Sequence, residues 1–135
     1  MRLLDTDMCV ALIRRRAPAA LARLQELDPA NVGVSSITVA ELDFGVARSS
    51  MPDRNRDALT AFLAPLVIHP FDATAAFVYG ALRRALEADG KPIGNLDTLI
   101  AAHALSRRWT LVTHNVREFR RVAGLSIEDW LAESS

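Results

Sequence analysis

The chain has 135 residues, half of them hydrophobic and 24% charged, a composition that excludes a disordered polymer and suits one globular domain spanning 1–135. Sixteen basic and sixteen acidic residues cancel to a formal net charge of zero, so a nucleic-acid partner cannot be inferred from bulk charge and would need a local basic face. The single cysteine, Cys9, excludes an internal disulfide, no run approaches the ~20 apolar residues of a membrane span, and Arg14-Arg15-Arg16 interrupts any signal-peptide core. The expected compartment is the cytoplasm, with no membrane partner.

Leu3-Leu4 before Asp5 reads as a short buried strand, followed by a helix over 8–16 with the three arginines in its last turn, where they suit the helix dipole. Cys9 falls in that helix as a small core residue. Pro18 opens a second helix carrying Leu21, Leu24 and Leu27 at helical spacing. Val32-Gly33-Val34 is a second strand, and Ser36 can cap a helix from Ile37 to Val46. Pro52 opens a helix reaching Leu63, and Leu66-Val67-Ile68 is a third strand ended by Pro70. Asp72 caps a long helix to Ala88, broken by Asp89-Gly90-Lys91-Pro92. Asn95 caps the helix to Arg107, and Thr110 to Thr113 form a fourth strand. A helical turn around Arg117-Glu118-Phe119 and a fifth strand at Leu125-Ser126-Ile127 precede Trp130. Strands alternating with helices predict an α/β fold with a mainly parallel sheet of four to five strands, covered on both faces.

Asp5, Glu41 and Asp97 each stand at a predicted strand end or in the first turn of a helix. In a parallel sheet those places share one edge, and three carboxylates in one cleft repel unless a hard cation such as Mg²⁺ or Mn²⁺ sits between them. Each acid also has a structural reading. Thr38 to Glu41 matches a capping box, Asp97 lies two residues past the cap Asn95, and Asp5 can begin a turn or cap the first helix. Taken together they point to a metal site, because capping does not require three acids after three separate strands. Asn115 after the fourth strand can bind a metal through its amide oxygen, or serve as a turn residue. Glu118 can pair with a neighbouring arginine. Asp7 reads as the cap of the first helix, and can also orient a metal ligand from outside.

His69, His103 and His114 lack zinc spacing. His103 reads as a hydrogen-bonded core residue, while His114, beside Asn115, is a candidate RNA contact. Arg117, Arg120 and Arg121 lie nearest the acidic edge and are the best candidates for phosphate contacts. Phe44, Phe62, Phe71, Phe77 and Phe119 fall mostly at core-like positions, so no single-strand stacking platform is expected.

These segments, in this order, resemble a known family. Leu4-Asp5-Thr6-Asp7, Ser36-Ile37-Thr38-Val39-Ala40-Glu41-Leu42, Pro92-Ile93-Gly94 through Asp97 with Ile100 to Ala104, Leu111 to Asn115 with Arg117-Glu118-Phe119, and the ending Gly124 to Trp130 are similar to PIN-domain ribonucleases, most of all the VapC toxins of type II VapBC toxin–antitoxin systems. The resemblance implies a three-layer α/β/α PIN domain, a magnesium-dependent endoribonuclease (with Mn²⁺ able to substitute) that acts on structured RNA, inhibition by a VapB-type antitoxin, and a homodimer. Carried over by position, Asp5 and Asp97 are the principal metal ligands, Glu41 the third acid, and Asn115 the fourth site. Many relatives have aspartate there; asparagine, with the Arg-Glu-Phe segment and the ending, points to the initiator-tRNA endonuclease branch.

The expected chemistry is metal-assisted hydrolysis of an RNA phosphodiester, with Glu41 or a neighbouring carboxylate accepting the proton. Two alternatives stand beside it. One is a PIN-type RNA- or partner-binding domain without turnover. The other is a haloacid dehalogenase-like phosphatase, whose paired-aspartate motif Asp5-Thr6-Asp7 imitates. That chemistry also needs a lysine near the phosphate, and the only lysine, Lys91, precedes Pro92 in a predicted loop.

Overall fold

A computed structural model describes residues 1–131 of the chain; the last four residues of the expected 1–135 domain lie outside the described residues. Five strands, β1 (Arg2–Leu4), β2 (Val32–Ser35), β3 (Val67–His69), β4 (Thr110–Val112) and β5 (Ser126–Glu128), form one sheet in the order β3-β2-β1-β4-β5. Every pairing is parallel: Leu3 lies opposite Gly33 on one side and Leu111 on the other, and Leu111 opposite Ile127. Parallel strands need crossovers, and seven α-helices among the described residues supply them: α1 (Thr6–Ile13), α2 (Pro18–Glu26), α3 (Ser36–Ala47), α4 (Pro52–Leu63), α5 (Ala73–Ala88), α6 (Asn95–Arg107) and α7 (Val116–Phe119).

The pleat sorts the core into two layers. Leu4, Val112, Val32 and Val34 face Met8, Cys9 and Leu12 of α1, Leu42 and Val46 of α3, and Leu59 of α4. Leu3 and Leu111, the neighbours in sequence, face the opposite way onto Leu82 and Leu86 of α5, Ile100 and Ala101 of α6, and Phe119. Sealing both faces is what a parallel sheet requires. Arg2 and Trp130 both hydrogen-bond to Glu128, tying the first strand to the last across the sheet. Arg23 stacks 5.7 Å from the Trp130 ring.

Helix boundaries differ from the sequence expectation where adjacent residues compete for one role. The side chain capping α1 is Asp5, accepting from the Met8 N–H; Asp7 sits exposed in the first turn instead. The helix stops at Ile13, so Arg14 to Arg16 lie beyond it and Arg15 takes a left-handed φ of 54°. Ser35, not Ser36, caps α3 by accepting from the Ile37 N–H, and the Ser36 hydroxyl accepts from Phe71 N–H. With the cap at Ser35, Glu41 is too far along α3 to close a capping box. Gly94 precedes α6, leaving Asn95 as a helical residue rather than a cap. Asp72 caps α5 and Pro52 opens α4 as the sequence predicts. Phe119 is fully buried, but Phe44 and Phe77 are exposed on the surface, against their core-like spacing.

Gly33 in β2 is required by a close approach. A Cβ there would stand 2.7 Å from the Val67 carbonyl oxygen and 2.8 Å from the His69 ring. The first of these is backbone of the paired strand and cannot swing aside. Gly33→Ala is expected to destabilise the protein by roughly 1–3 kcal/mol, the range for overpacking a filled interior. Urea denaturation of the variant measures this, and an unchanged midpoint would show that β2 and β3 can separate freely.

Candidate active site

β1 lies between β2 and β4, and the chain leaves it toward β2 on one side but returns to β4 on the other. The carboxyl ends of β1 and β4 therefore form a switch point, where such sheets open a crevice. Asp5 follows β1 there and is only 2% exposed. Its Oδ1 accepts the Met8 N–H at 2.8 Å and its Oδ2 the Thr113 hydroxyl at 2.5 Å, while its own N–H donates to the Val112 carbonyl at 3.0 Å. Burial pushes its carboxyl up to about 6, outweighing both hydrogen bonds, with the charges of Asp7 and Asp97 adding to the rise.

Asp97 is the third residue of α6 and half-buried. A helix N-terminus favours a carboxylate by roughly 0.3–1 kcal/mol, yet its carboxyl is also pushed up to about 6. Burial is the largest cause, followed by the charges of Asp7, Glu41 and Glu118. Burial and repulsion outweigh the dipole. Among the described residues no hydrogen bond or ion pair meets the Asp97 carboxylate.

Glu41 reaches the same cleft from α3. Its Oε1 accepts the Thr6 hydroxyl at 2.7 Å. The same Thr6 hydroxyl is also directed at Thr38 Oγ1, 3.2 Å away, so its one proton has two acceptors and Glu41 is the nearer. Asn115 enters after β4: its N–H donates to Thr113 Oγ1 at 2.9 Å and its side-chain amide to Glu118 Oε2 at 3.0 Å. Glu118 is thus held by Asn115 rather than by an arginine. Thr113, fully buried, links Asp5 to Asn115.

The fold thus gathers Asp5, Asp7, Glu41, Asp97 and Glu118 within electrostatic reach of one another, and among the described residues none of them is in an ion pair. Nor do any three His, Cys, Asp or Glu side chains among those residues already stand at metal-ligand spacing. The donor set is all oxygen, which fits a hard divalent cation rather than zinc or copper.

His114 and the arginines lie outside this cluster. His114 is exposed and its Nδ1 lies 3.1 Å from Asp129, and Arg121 donates to the Pro92 carbonyl just before α6. Arg117 and Arg120 are exposed and line a hollow of about 620 Å³ with Val116, Ile127 and Asp129. Lys91 is exposed in the loop after α5, and Cys9 is buried in α1. Thr6 and Thr113 are the functional candidates that sequence reasoning gave no role. Their only signal was adjacency, to Asp5 and to the His114-Asn115 pair.

The raised carboxyls of Asp5 and Asp97 make a signed prediction. An acid whose folded pKa is about 6 against an ordinary 3.8 holds its proton longer in the folded state, so stability falls as pH rises from 3.8 to about 6 and stays lowered above. Asp97→Asn removes one such charge. In EDTA the variant is expected to match wild type near pH 4 and to exceed it by about 1 kcal/mol, a few degrees in Tm, at pH 7.5, the figure being reduced for solvent screening of a half-buried group. Thermal scans across that range decide it, and a variant less stable than wild type at pH 7.5 would make Asp97 a structural residue.

Residues 2–125 match the PIN domain family. The chain is 42% identical to ribonuclease VapC2 of Rickettsia felis, over 95% of this chain and 96% of that protein. It is 39% identical to the tRNA(fMet)-specific endonuclease VapC of Shigella flexneri over the same shares. Among solved structures, VapBC2 of Rickettsia felis bound to a DNA fragment from its promoter superposes with a TM-score of 0.91 at 40% identity, covering 96% of this chain and 98% of the other. PIN-domain nucleases as a class depend on metal. No helix among the described residues is long and apolar enough to cross a membrane. A parallel five-stranded sheet with acids at its switch point, matched nearly end to end by these nucleases, places the chain in the PIN-domain family, among the VapC toxin ribonucleases of VapBC toxin–antitoxin systems.

Proposed function

We propose that this ribonuclease hydrolyses a phosphodiester of structured RNA, initiator tRNA first among candidates, with Mg²⁺ (or Mn²⁺ in its place) held by Asp5, Asp97 and Glu41. The observation that carries the reading is the buried Asp5, fixed by two donors at the switch point and faced by Asp97, with neither acid in an ion pair among the described residues. The tRNA assignment rests on likeness to relatives named for tRNA(fMet) and on Asn115 in the fourth site.

A divalent cation bound there would lower the pKa of an attacking water and offset charge on the phosphoryl oxygens. The protein's own residues then have separate tasks. Met8 N–H and the Thr113 hydroxyl hold both Asp5 oxygens in one orientation. Thr6 turns Glu41 into the cleft, where it accepts the proton of the attacking water. Asn115 gives its N–H₂ end to Glu118, which leaves its amide oxygen as the acceptor for the fourth position. Arg117 and Arg120 hold phosphates on either side of the scissile bond. Water adds to phosphorus as the bond to the 3′ oxygen breaks, leaving a 5′-phosphate and a 3′-hydroxyl. A VapB-type antitoxin restrains the enzyme, and Asp7 steers the orientation of the metal-binding acids from outside. Two copies of the chain form the working unit.

Asp97→Asn tests the metal assignment, since an amide supplies no charge to hold the cation. Cleavage of purified initiator tRNA in Mg²⁺ is expected to fall by about 10²–10³, the equivalent of several kcal/mol of lost charge stabilisation, and EDTA should abolish it in wild type. RNA binding without cleavage in wild type plus Mg²⁺ would support the non-catalytic alternative, and cleavage of elongator tRNAs at equal rate would remove the initiator assignment.

Arg117→Ala and Arg120→Ala should each weaken RNA binding without preference for sequence and flatten the dependence of log K on log salt by about one unit of slope or less. Filter binding of the Asp97→Asn protein across 50–300 mM KCl reads this out. An unchanged slope would assign both arginines to the solvated surface.

A further inference from the structure

Behind the acidic cleft the interior holds a polar contact that packing alone does not call for. His103 of α6 is fully buried, and its Nδ1 lies 2.8 Å from Ser35 Oγ, the last residue of β2. Ser35 already accepts the Ile37 N–H at 3.1 Å to cap α3. A hydroxyl oxygen can accept a second hydrogen bond as well as donate one, so the Ser35–Nδ1 contact forms in either neutral tautomer. The other ring nitrogen, Nε2, is buried with no hydrogen-bond partner among the described residues. The ring is wedged edge-on against Phe71, with centroids 5.5 Å apart, and lies 5.8 Å from Trp109 and 6.5 Å from His69. An apolar side chain would fill this space without stranding a ring nitrogen. A buried polar group that is only half satisfied calls for an explanation beyond packing.

The contact joins the elements that carry two of the acids. Ser35 starts the helix that presents Glu41, and His103 lies less than two turns along α6 from Asp97. Helices α3 and α6 also pack directly against each other. We propose that the Ser35–His103 hydrogen bond is a positioning device that sets the separation of Glu41 and Asp97, and thereby the fit of the cleft to its divalent cation. The inference rests on the reading of these acids as the metal-binding set. Among the described residues His103 makes no hydrogen bond or ion pair with any of them, so it acts only through α3 and α6. Charges reach it from Asp72 and Arg107, which pair with each other at 2.7 Å at the surface, and from His69 on β3. Burial holds its imidazole below the ordinary histidine range, so it remains neutral at neutral pH.

Two amide substitutions separate positioning from packing. In His103→Asn the amide falls near the place of Nδ1 and can still pair with Ser35 as donor or acceptor, whereas in His103→Gln the amide lies near the place of Nε2 and the bond to Ser35 is lost. The readout is the Mn²⁺ concentration giving half the maximal rise in Tm, which requires no turnover. His103→Asn should stay within about threefold of wild type, and His103→Gln should need about 10–100-fold more Mn²⁺, the range for outer groups that orient metal ligands. If the glutamine variant does not fold, Ser35→Gly replaces it, because glycine is a tolerated helix cap and removes the hydroxyl with only its methylene. Equal Mn²⁺ responses of the asparagine protein and the bond-deleted protein would overturn the positioning role while leaving the metal site intact. Absence of any Mn²⁺ response in wild type would instead overturn the metal reading, and the positioning role with it.

Discussion

The contact on which the site depends is the hydrogen bond from the Thr113 hydroxyl to Asp5 at 2.5 Å. It joins the residue after β1 to the residue after β4, the two strands between which the chain reverses its direction of travel across the sheet. Asp5 could not be buried as a carboxylate without such donors. With Thr113 on one oxygen and the Met8 N–H on the other, one side chain starts α1, clamps the central strands and presents charge to the crevice. Thr113 passes the same constraint to Asn115, whose N–H it accepts. The position of one threonine thus fixes two of the four candidate site residues.

Such a cleft opposes folding electrostatically, and the rest of the molecule must offset it. Two carboxyls at about 6 mean that burial and like charge work against ionisation at neutral pH. The compensation is hydrophobic and lies on both faces of the sheet. Leu3, Leu4, Leu111 and Val112, next to the site in sequence, are all fully buried, and each such side chain contributes ~1.5–3 kcal/mol. Strands of three residues suffice because β1 and β4 are paired on both sides and have no edge. Strain is concentrated at the carboxyl edge and stability beneath it.

Much of this could be read from the chain before its coordinates. The strand at Leu3-Leu4, the start at Pro52 and the cap at Asp72 carry strong local signals, and the parallel arrangement follows from strand–helix alternation. That same arrangement places Asp5, Glu41 and Asp97 together without any contact being known. Where local chemistry was degenerate the reading slipped by a residue or two: Ser35 and Ser36 are both capable caps, as are Asp5 and Asp7, and only the strand register decides between them. Phe44 and Phe77 show the complementary error, because helical spacing tells which residues share a face but not whether that face is covered. The roles of Thr113, Thr6 and Ser35 were out of reach for a different reason. Their partners lie 108, 35 and 68 positions away, and hydroxyl pairing at that distance leaves no periodic trace.

The two principal acids are consequently not equivalent as probes of function. Asp5 accepts the cap hydrogen bond of α1 and the clamp from Thr113, so its replacement by alanine removes a cap worth ~1 kcal/mol and also strands a buried hydroxyl. Loss of activity in such a variant would not separate chemistry from folding. Asp97 has neither duty. The residue before α6 is Gly94, whose carbonyl accepts the Thr98 hydroxyl and N–H, and no protein donor among the described residues meets the Asp97 carboxylate. A side chain held in a cluster of like charge, half-buried and without a partner, has only the dipole of α6 to stabilise its charge, and burial and repulsion outweigh that. The physical case for a cation at this edge therefore rests more firmly on Asp97 than on Asp5, although Asp5 is the more deeply buried of the two.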